Sequence, residues 1–284
     1  MKKILSLFSV GMLLSCTNSP AQKQTFKEHI SKEFAVSSSA TTLNVYNIDG
    51  FIKVEGYAGN KIILEIDKTI SGKTDQIIEQ GKSEFKLNFE QKNDEIAAYI
   101  SEPYDSRPNI NNRHNKELHI EYNVKVNYTI KVPYSTNLRV ATINDGDVIV
   151  LDVKGEIKAN NINGAITLKN VSKVYEVHTI NGNVDINYVT LPPDNSTYYT
   201  LNGQLSVTYP ANLSADCSFK SFQGEFYTDF PEVEVMPSKI KKVIEKDGES
   251  TRHKLEKGSN IKIGKGGLKL YFETFNGNIY IKKV

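Results

Sequence analysis

Short runs of alternating apolar and polar residues recur along the chain, and most are opened by an Asn-Gly pair. The first reads Asn-Ile-Asp-Gly-Phe-Ile-Lys-Val at 47–54, and the second reads Asn-Asp-Gly-Asp-Val-Ile-Val at 144–150. Related runs follow around Gly164, Gly182, Gly203, Gly224 and Gly277. Two residues after each glycine stand Ile52, Val148, Ile166, Val184, Leu205, Phe226 and Ile279. Four residues after it stand Val54, Val150, Leu168, Ile186, Val207, Thr228 and Ile281. Strand side chains alternate between faces with a period of two, so each run predicts a short strand with one buried face. Two residues before the glycine a further apolar row appears, formed by Ile48, Ile162, Ile180, Leu201, Phe222 and Phe275. The second copy carries one extra residue, which places Ile143 three before Gly146.

The glycines imply a corner. Gly tolerates positive φ at no steric cost and Asn tolerates it better than most, so Gly50, Gly146, Gly164, Gly182, Gly203, Gly224 and Gly277 are expected as left-handed turn residues. Asn-Gly is also a hairpin signal, but the spacing argues against hairpins. Gly146, Gly164 and Gly182 are 18 apart, and Gly203 and Gly224 follow at intervals of 21. Each interval holds a second alternating stretch, such as Ile157 and Ala159 or Cys217 and Phe219. Equal intervals of this length predict coils that place like residue over like. Asn163, Asn181, Asn202 and Asn276 then form a ladder of side-chain amides beside the glycines. The expected architecture is all-β, a single-stranded parallel β-solenoid with an N-terminal β-rich extension and a C-terminal insertion.

Interruptions of the period divide the chain. Residues 1–22 read as a processing segment, 23–40 as a polar tether, and 41–284 as the repeat domain, with insertions at about 68–118 and 230–262. Strands are expected over 61–66, 85–89 and 119–132, a short helix over 74–80, and a polar loop over 101–115. The second insertion is rich in Lys, including Lys239, Lys241, Lys242, Lys246, Lys254 and Lys257, with Glu interspersed. It is expected as a solvated hairpin or excursion, and contact with anionic glycan or lipid is its functional alternative.

Composition adds limits. Apolar residues make up 39% of 284, enough for a substantial core, and Gly and Pro are too few for collagen-like or disordered chains. A net charge of +2 offers no electrostatic case for nucleic acid. Lys2 and Lys3 precede an apolar stretch of 11 residues, Ile4 to Leu14, too short to span a bilayer and suited to a secretion signal. If Cys16 is lipidated or removed with the signal, Cys217 is left without a disulfide partner. Cys217 occupies an inward position and is expected as a small buried apolar side chain.

Signals for catalysis are weak. His29, His114, His119, His178 and His253 show no metal-ligand spacing with one another or with Cys, so neither a metal nor a cofactor is expected. No nucleophile elbow, phosphate loop or dinucleotide fingerprint is present. The enzymatic alternative is a polysaccharide-active β-helix using outward carboxylates, with Glu156 and Glu176 as the candidate pair; His178 is expected to face outward.

Leu13-Leu14-Ser15-Cys16 resembles a bacterial lipoprotein signal, which implies lipidation of Cys16 and attachment to a membrane. Cleavage after Ala21 would instead release a soluble periplasmic or secreted protein. The repeated Asn-Gly-x-[Ile/Val]-x-[Ile/Val], Lys131-Val132-Pro133, and Asn276-Gly277-Asn278-Ile279-Tyr280-Ile281 together resemble the putative adhesin family of bacterial envelope proteins over residues 40–284. That resemblance implies a solenoid in the cell envelope and supplies no catalytic residue. The expected function is a non-catalytic, envelope-anchored binding or structural module with a glycan or protein partner, serving adhesion, glycan contact or envelope-stress sensing.

Overall fold

The structure, a computed structural model, describes residues 24–36, 41–108, 120–236, 241–247, 250–256 and 259–284. Strands are numbered in chain order. One sheet has ten strands, running from edge to edge as β1 (Gln24–Ala35), β4 (Lys61–Gly72), β7 (Asn123–Pro133), β3 (Ile52–Tyr57), β9 (Val148–Leu151), β11 (Ile166–Val171), β13 (Val184–Tyr188), β15 (Leu205–Tyr209), β23 (Ile279–Lys283) and β17 (Phe226–Thr228). The other has eleven, in the order β18 (Val233–Met236), β21 (Ser259–Ile263), β16 (Ala215–Ser221), β22 (Leu268–Asn276), β14 (Ser196–Asn202), β12 (Lys173–Asn181), β10 (Glu156–Asn160), β8 (Asn137–Ala141), β2 (Thr42–Tyr46), β6 (Glu95–Glu102) and β5 (Lys86–Lys92). β19 (Lys241–Asp247) and β20 (Ser250–Glu256) pair only with each other. Inward residues of the two large sheets meet in one core cluster.

The single-stranded parallel solenoid is therefore corrected: the fold is two large mixed sheets. Antiparallel pairs β1/β4, β4/β7 and β5/β6 form one end, and β16/β21 and β18/β21 form the other. The long stretch between Gly50 and Gly146 folds back on itself, because antiparallel neighbours need only short turns whereas parallel ones need a crossover. Repeat order in space also departs from repeat order in sequence. β22 inserts between β14 and β16, and β23 between β15 and β17, so the last repeat lies next to the one at Gly203.

Parallel pairing joins the middle strands, and there like residues face like. Ile166 pairs with Val148 and Val184, and Leu168 with Val150 and Ile186. These side chains are fully buried, and burying each such aliphatic side chain contributes about 1.5–3 kcal/mol. Phe226 and Thr228, expected inward, are only half-buried because β17 is an edge strand. Residues 24–35, expected as a tether, form β1. Helix α1 (Asp75–Glu84) starts at Thr74, whose hydroxyl accepts from the Ile77 N–H at 3.3 Å. Residues 230–262 hold β18, β19, β20 and most of β21.

Candidate binding face

The glycines are needed for a reason other than the expected one. Gly50 and Gly277 have positive φ, +113 and +159, but Gly146, Gly164, Gly182, Gly203 and Gly224 do not lie in the left-handed region. Close approach of backbones is what requires them. A Cβ on Gly164 would stand 2.2 Å from the Gly146 carbonyl oxygen, one on Gly182 2.1 Å from that of Gly164, and one on Gly203 2.0 Å from that of Gly182. On Gly277 it would meet the Gly203 carbonyl oxygen at 1.9 Å, and on Gly224 that of Gly277 at 1.7 Å. Positive φ falls instead on Asp145, the extra residue of the second copy, at 50°.

Two polar ladders flank the glycines. On the outside, Asn163 donates to Asn144 at 2.9 Å, Asn181 to Asn163 at 2.7 Å, Asn202 to Asn181 at 2.8 Å and Asn276 to Asn202 at 2.8 Å. On the inside, buried side chains donate to the glycine carbonyls: Thr142 to Gly50, Asn161 to Gly146, Thr179 to Gly164 and Thr200 to Gly182, at 2.8–2.9 Å. A buried carbonyl left unpaired would cost about 1–3 kcal/mol. This inner ladder was legible as a recurring Thr or Asn three residues before the glycine, a signal that the strand alternation masks because the position reads as a polar break.

The apolar row before the glycines is not core. Ile143 and Ile162 are each 37% exposed, Phe275 45% and Phe222 71%, while Ile48, Ile180 and Leu201 are partly exposed. Backbone bonds hold the row in line: Asn144 N–H donates to the Ile48 carbonyl, Asn163 N–H to Ile143, Asn181 N–H to Ile162 and Gln223 N–H to Phe275. The row crosses seven strand positions, a length of about 29 Å at the usual strand separation. Its aromatic end is a Phe222–Phe275 stack with centroids 4.7 Å apart. One alternation further back, on the same outer face, His178 stacks on Tyr199 at 4.5 Å. Burial lowers the His178 pKa, partly opposed by the Glu176 carboxylate.

The candidate catalytic pair does not converge. Glu156 lies opposite Lys173, and Glu176 lies 3.6 Å from the ammonium of Lys158. Neither lines the recesses at Tyr57–Asn60 with Pro133–Ser135, or at Phe51, Lys125, Asp145–Asp147 and Ile149. Among the described residues no group of three or more His, Cys, Asp or Glu could hold a metal ion. Cys217 is buried and free, and burial pushes its thiol up to about 12. Cys16 lies outside the described residues, as do the side chains of the Lys-rich stretch 237–258. No helix among the described residues is long and apolar enough to cross a membrane.

The class so defined is an all-β protein of two large mixed sheets whose candidate site is an open, laddered face. No family model and no curated protein matches the chain. Similar solved structures include a putative cell adhesion protein from Clostridium sporogenes ATCC 15579, at 13% identity and TM-score 0.40, covering 90% of this chain and 100% of that one. A putative adhesin from Bacteroides fragilis NCTC 9343 has 12% identity and TM-score 0.33, covering 90% and 97%. A putative lipid binding protein from Parabacteroides distasonis ATCC 8503 has 8% identity and TM-score 0.23, covering 90% and 96%.

Proposed function

We propose that the chain is a non-catalytic binding module of the cell envelope that holds an extended glycan along the outer face of the eleven-stranded sheet. The apolar row from Ile48 to Phe222, exposed at Ile143, Ile162, Phe275 and Phe222 and partly exposed elsewhere, carries this reading. A protein of this size has enough polar residues to break such a row, and contiguous exposed apolar patches mark interaction sites. The chemistry suits a sugar polymer. Ring C–H faces pack on Phe222, Phe275 and the aliphatic side chains, and hydroxyls reach the free N–H and carbonyl lone pairs of the amide ladder beside them. A repeated row offers many weak contacts in sequence, so affinity grows with polymer length.

The experiment is binding of the protein to a panel of envelope and host polysaccharides, comparing wild type with the F222A/F275A double variant. The double variant is expected to lose only a little in melting temperature, because Phe222 is largely exposed and Phe275 about half exposed, and to lose about tenfold or more in affinity. Equal binding by both proteins, or no polysaccharide bound by wild type, would overturn the reading. Lipidation of Cys16 belongs to the same proposal and would hold the face at the membrane, each buried CH₂ of the lipid contributing about 0.8 kcal/mol. Membrane fractions that retain the Cys16→Ser variant at the wild-type level would remove that anchor from the proposal.

A further inference from the structure

The edge strand β1 has a property that its place in the fold does not require. Its strand pairing among the described residues is with β4 alone, and its other edge carries no strand; there the Ala35 carbonyl accepts from the Gln91 side chain at 3.2 Å. The Val36 N–H donates to the Asn60 carbonyl in the register that continues through β1 and β4. Antiparallel pairs alternate between bonded and non-bonded positions, so even-numbered residues of β1 bond to β4 and the odd-numbered ones, 25 to 35, turn their backbone groups outward. Open edges of this length are templates for another strand.

The sequence around Ile30 is self-complementary. Reading outward from it in both directions gives His29 and Ser31, Glu28 and Lys32, Lys27 and Glu33, then Phe26 and Phe34. Phe26, Ile30 and Phe34 are half-buried against the core and face its open end. We propose that β1 is a dimerisation strand, which pairs antiparallel with β1 of a second copy about a two-fold axis at Ile30. Each Lys27 then faces Glu33 of the other copy, each Glu28 faces Lys32, and each Phe26 faces Phe34; Glu33 and Glu28 share their charge with Lys61 and Lys68 of their own chain. The axis also matches the odd-numbered residues of the two strands, so the outward backbone groups of residues 27 to 33 bond to one another. A shift by one register step puts Lys32 opposite Phe26 and Glu28 opposite Ile30, or Glu28 opposite Phe34 and Lys32 opposite Ile30. A parallel in-register pair sets like charges against each other. Only the two-fold arrangement at Ile30 satisfies both charge and apolar contacts, as an isologous interface demands.

The test uses the full chain and the I30C variant. In the proposed pair the two residues at position 30 form a non-bonded antiparallel pair with Cα atoms about 4.5 Å apart, which a disulfide spans. Mild oxidation should yield a species of twice the monomer mass from I30C and none from the parent, both carrying Cys16→Ser so that buried Cys217 is the only other thiol. K27E in the I30C background sets like charges together at both ends and should cut the yield about tenfold. Adding E33K restores opposite charges and should bring the yield back, which separates a lost interface from a lost fold. The proposal is overturned if I30C stays monomeric. It is equally overturned if K27E leaves the yield unchanged, or if E33K fails to restore it.

Discussion

The middle of the molecule and its β1 end solve the same problem in different ways. In the middle, parallel strands put Ile166 against Val148 and Val184, glycine against glycine, and Asn against Asn. At the β1 end, long antiparallel strands put unlike residues together, with Glu28 2.5 Å from Lys68 and His29 between Glu65 and Asp67. Identity of neighbours makes the middle intolerant, because every copy must keep the same small residue at the same place. Complementarity makes the end tolerant, because pairs that stay largely exposed, as His29 with Asp67 does, contribute little.

That contrast is broken most forcefully at the glycines. Gly182→Ala should cost about 3 kcal/mol or more in urea unfolding, since the new Cβ strikes the backbone carbonyl of Gly164. Gly72→Ala at the other end meets the Ile77 side chain at 2.7 Å, which can rotate away, and should cost about 1 kcal/mol. Equal losses would mean the middle relaxes as easily as the end. Core truncation follows the same order. Ile186→Ala, fully buried, should cost about 3–4 kcal/mol, and Phe34→Ala, half-buried on β1, less than half of that.

Polar ladders come next. Thr200→Val removes the donor to the Gly182 carbonyl, with an expected loss of about 1–3 kcal/mol, while Asn181→Ala on the exposed ladder should lose about 1 kcal/mol or less. If Asn181→Ala were the more damaging, the outer ladder rather than the inner would hold the glycine corner.

The smallest effect is one of sign. Hydrogen bonds to Asp67 and then Glu65 raise the His29 pKa, so its stabilising contribution is complete below the ordinary value and fades as pH rises through the raised one. Burial lowers the His178 pKa, so stability there is complete above the ordinary value and fades as pH falls through the lowered one. Acidification from pH 8 to 5 should therefore raise amide protection factors, which are corrected for the intrinsic pH dependence of exchange, in β1 and lower them around His178. H29Q and H178Q should each abolish the response at its own end. Shifts of the same sign at both ends would refute this assignment.

Much of the middle was legible from particular positions. The residues two and four after each glycine identify the buried face of β9, β11, β13, β15 and β23, because the period of two is a local property. The amide ladder followed from the same register. Ile162, Ile180, Leu201 and Phe275 were legible as a row but not as a surface. Strand alternation assigns two faces, and which one turns outward beyond the Thr or Asn at the corner depends on how the chain bends there.

Other features lay beyond any single segment. The antiparallel ends, the insertion of β22 between β14 and β16, and the conversion of residues 24–35 into an edge strand all depend on contacts between distant parts of the chain. What each repeat can bury, and that glycine must recur, are written within a few residues of chain, because these needs are local. Which repeats are neighbours, and why the glycines are needed, depend on how the folded chain brings distant strands together. A carbonyl 2 Å from an absent Cβ belongs to another strand, and no local pattern specifies its arrival.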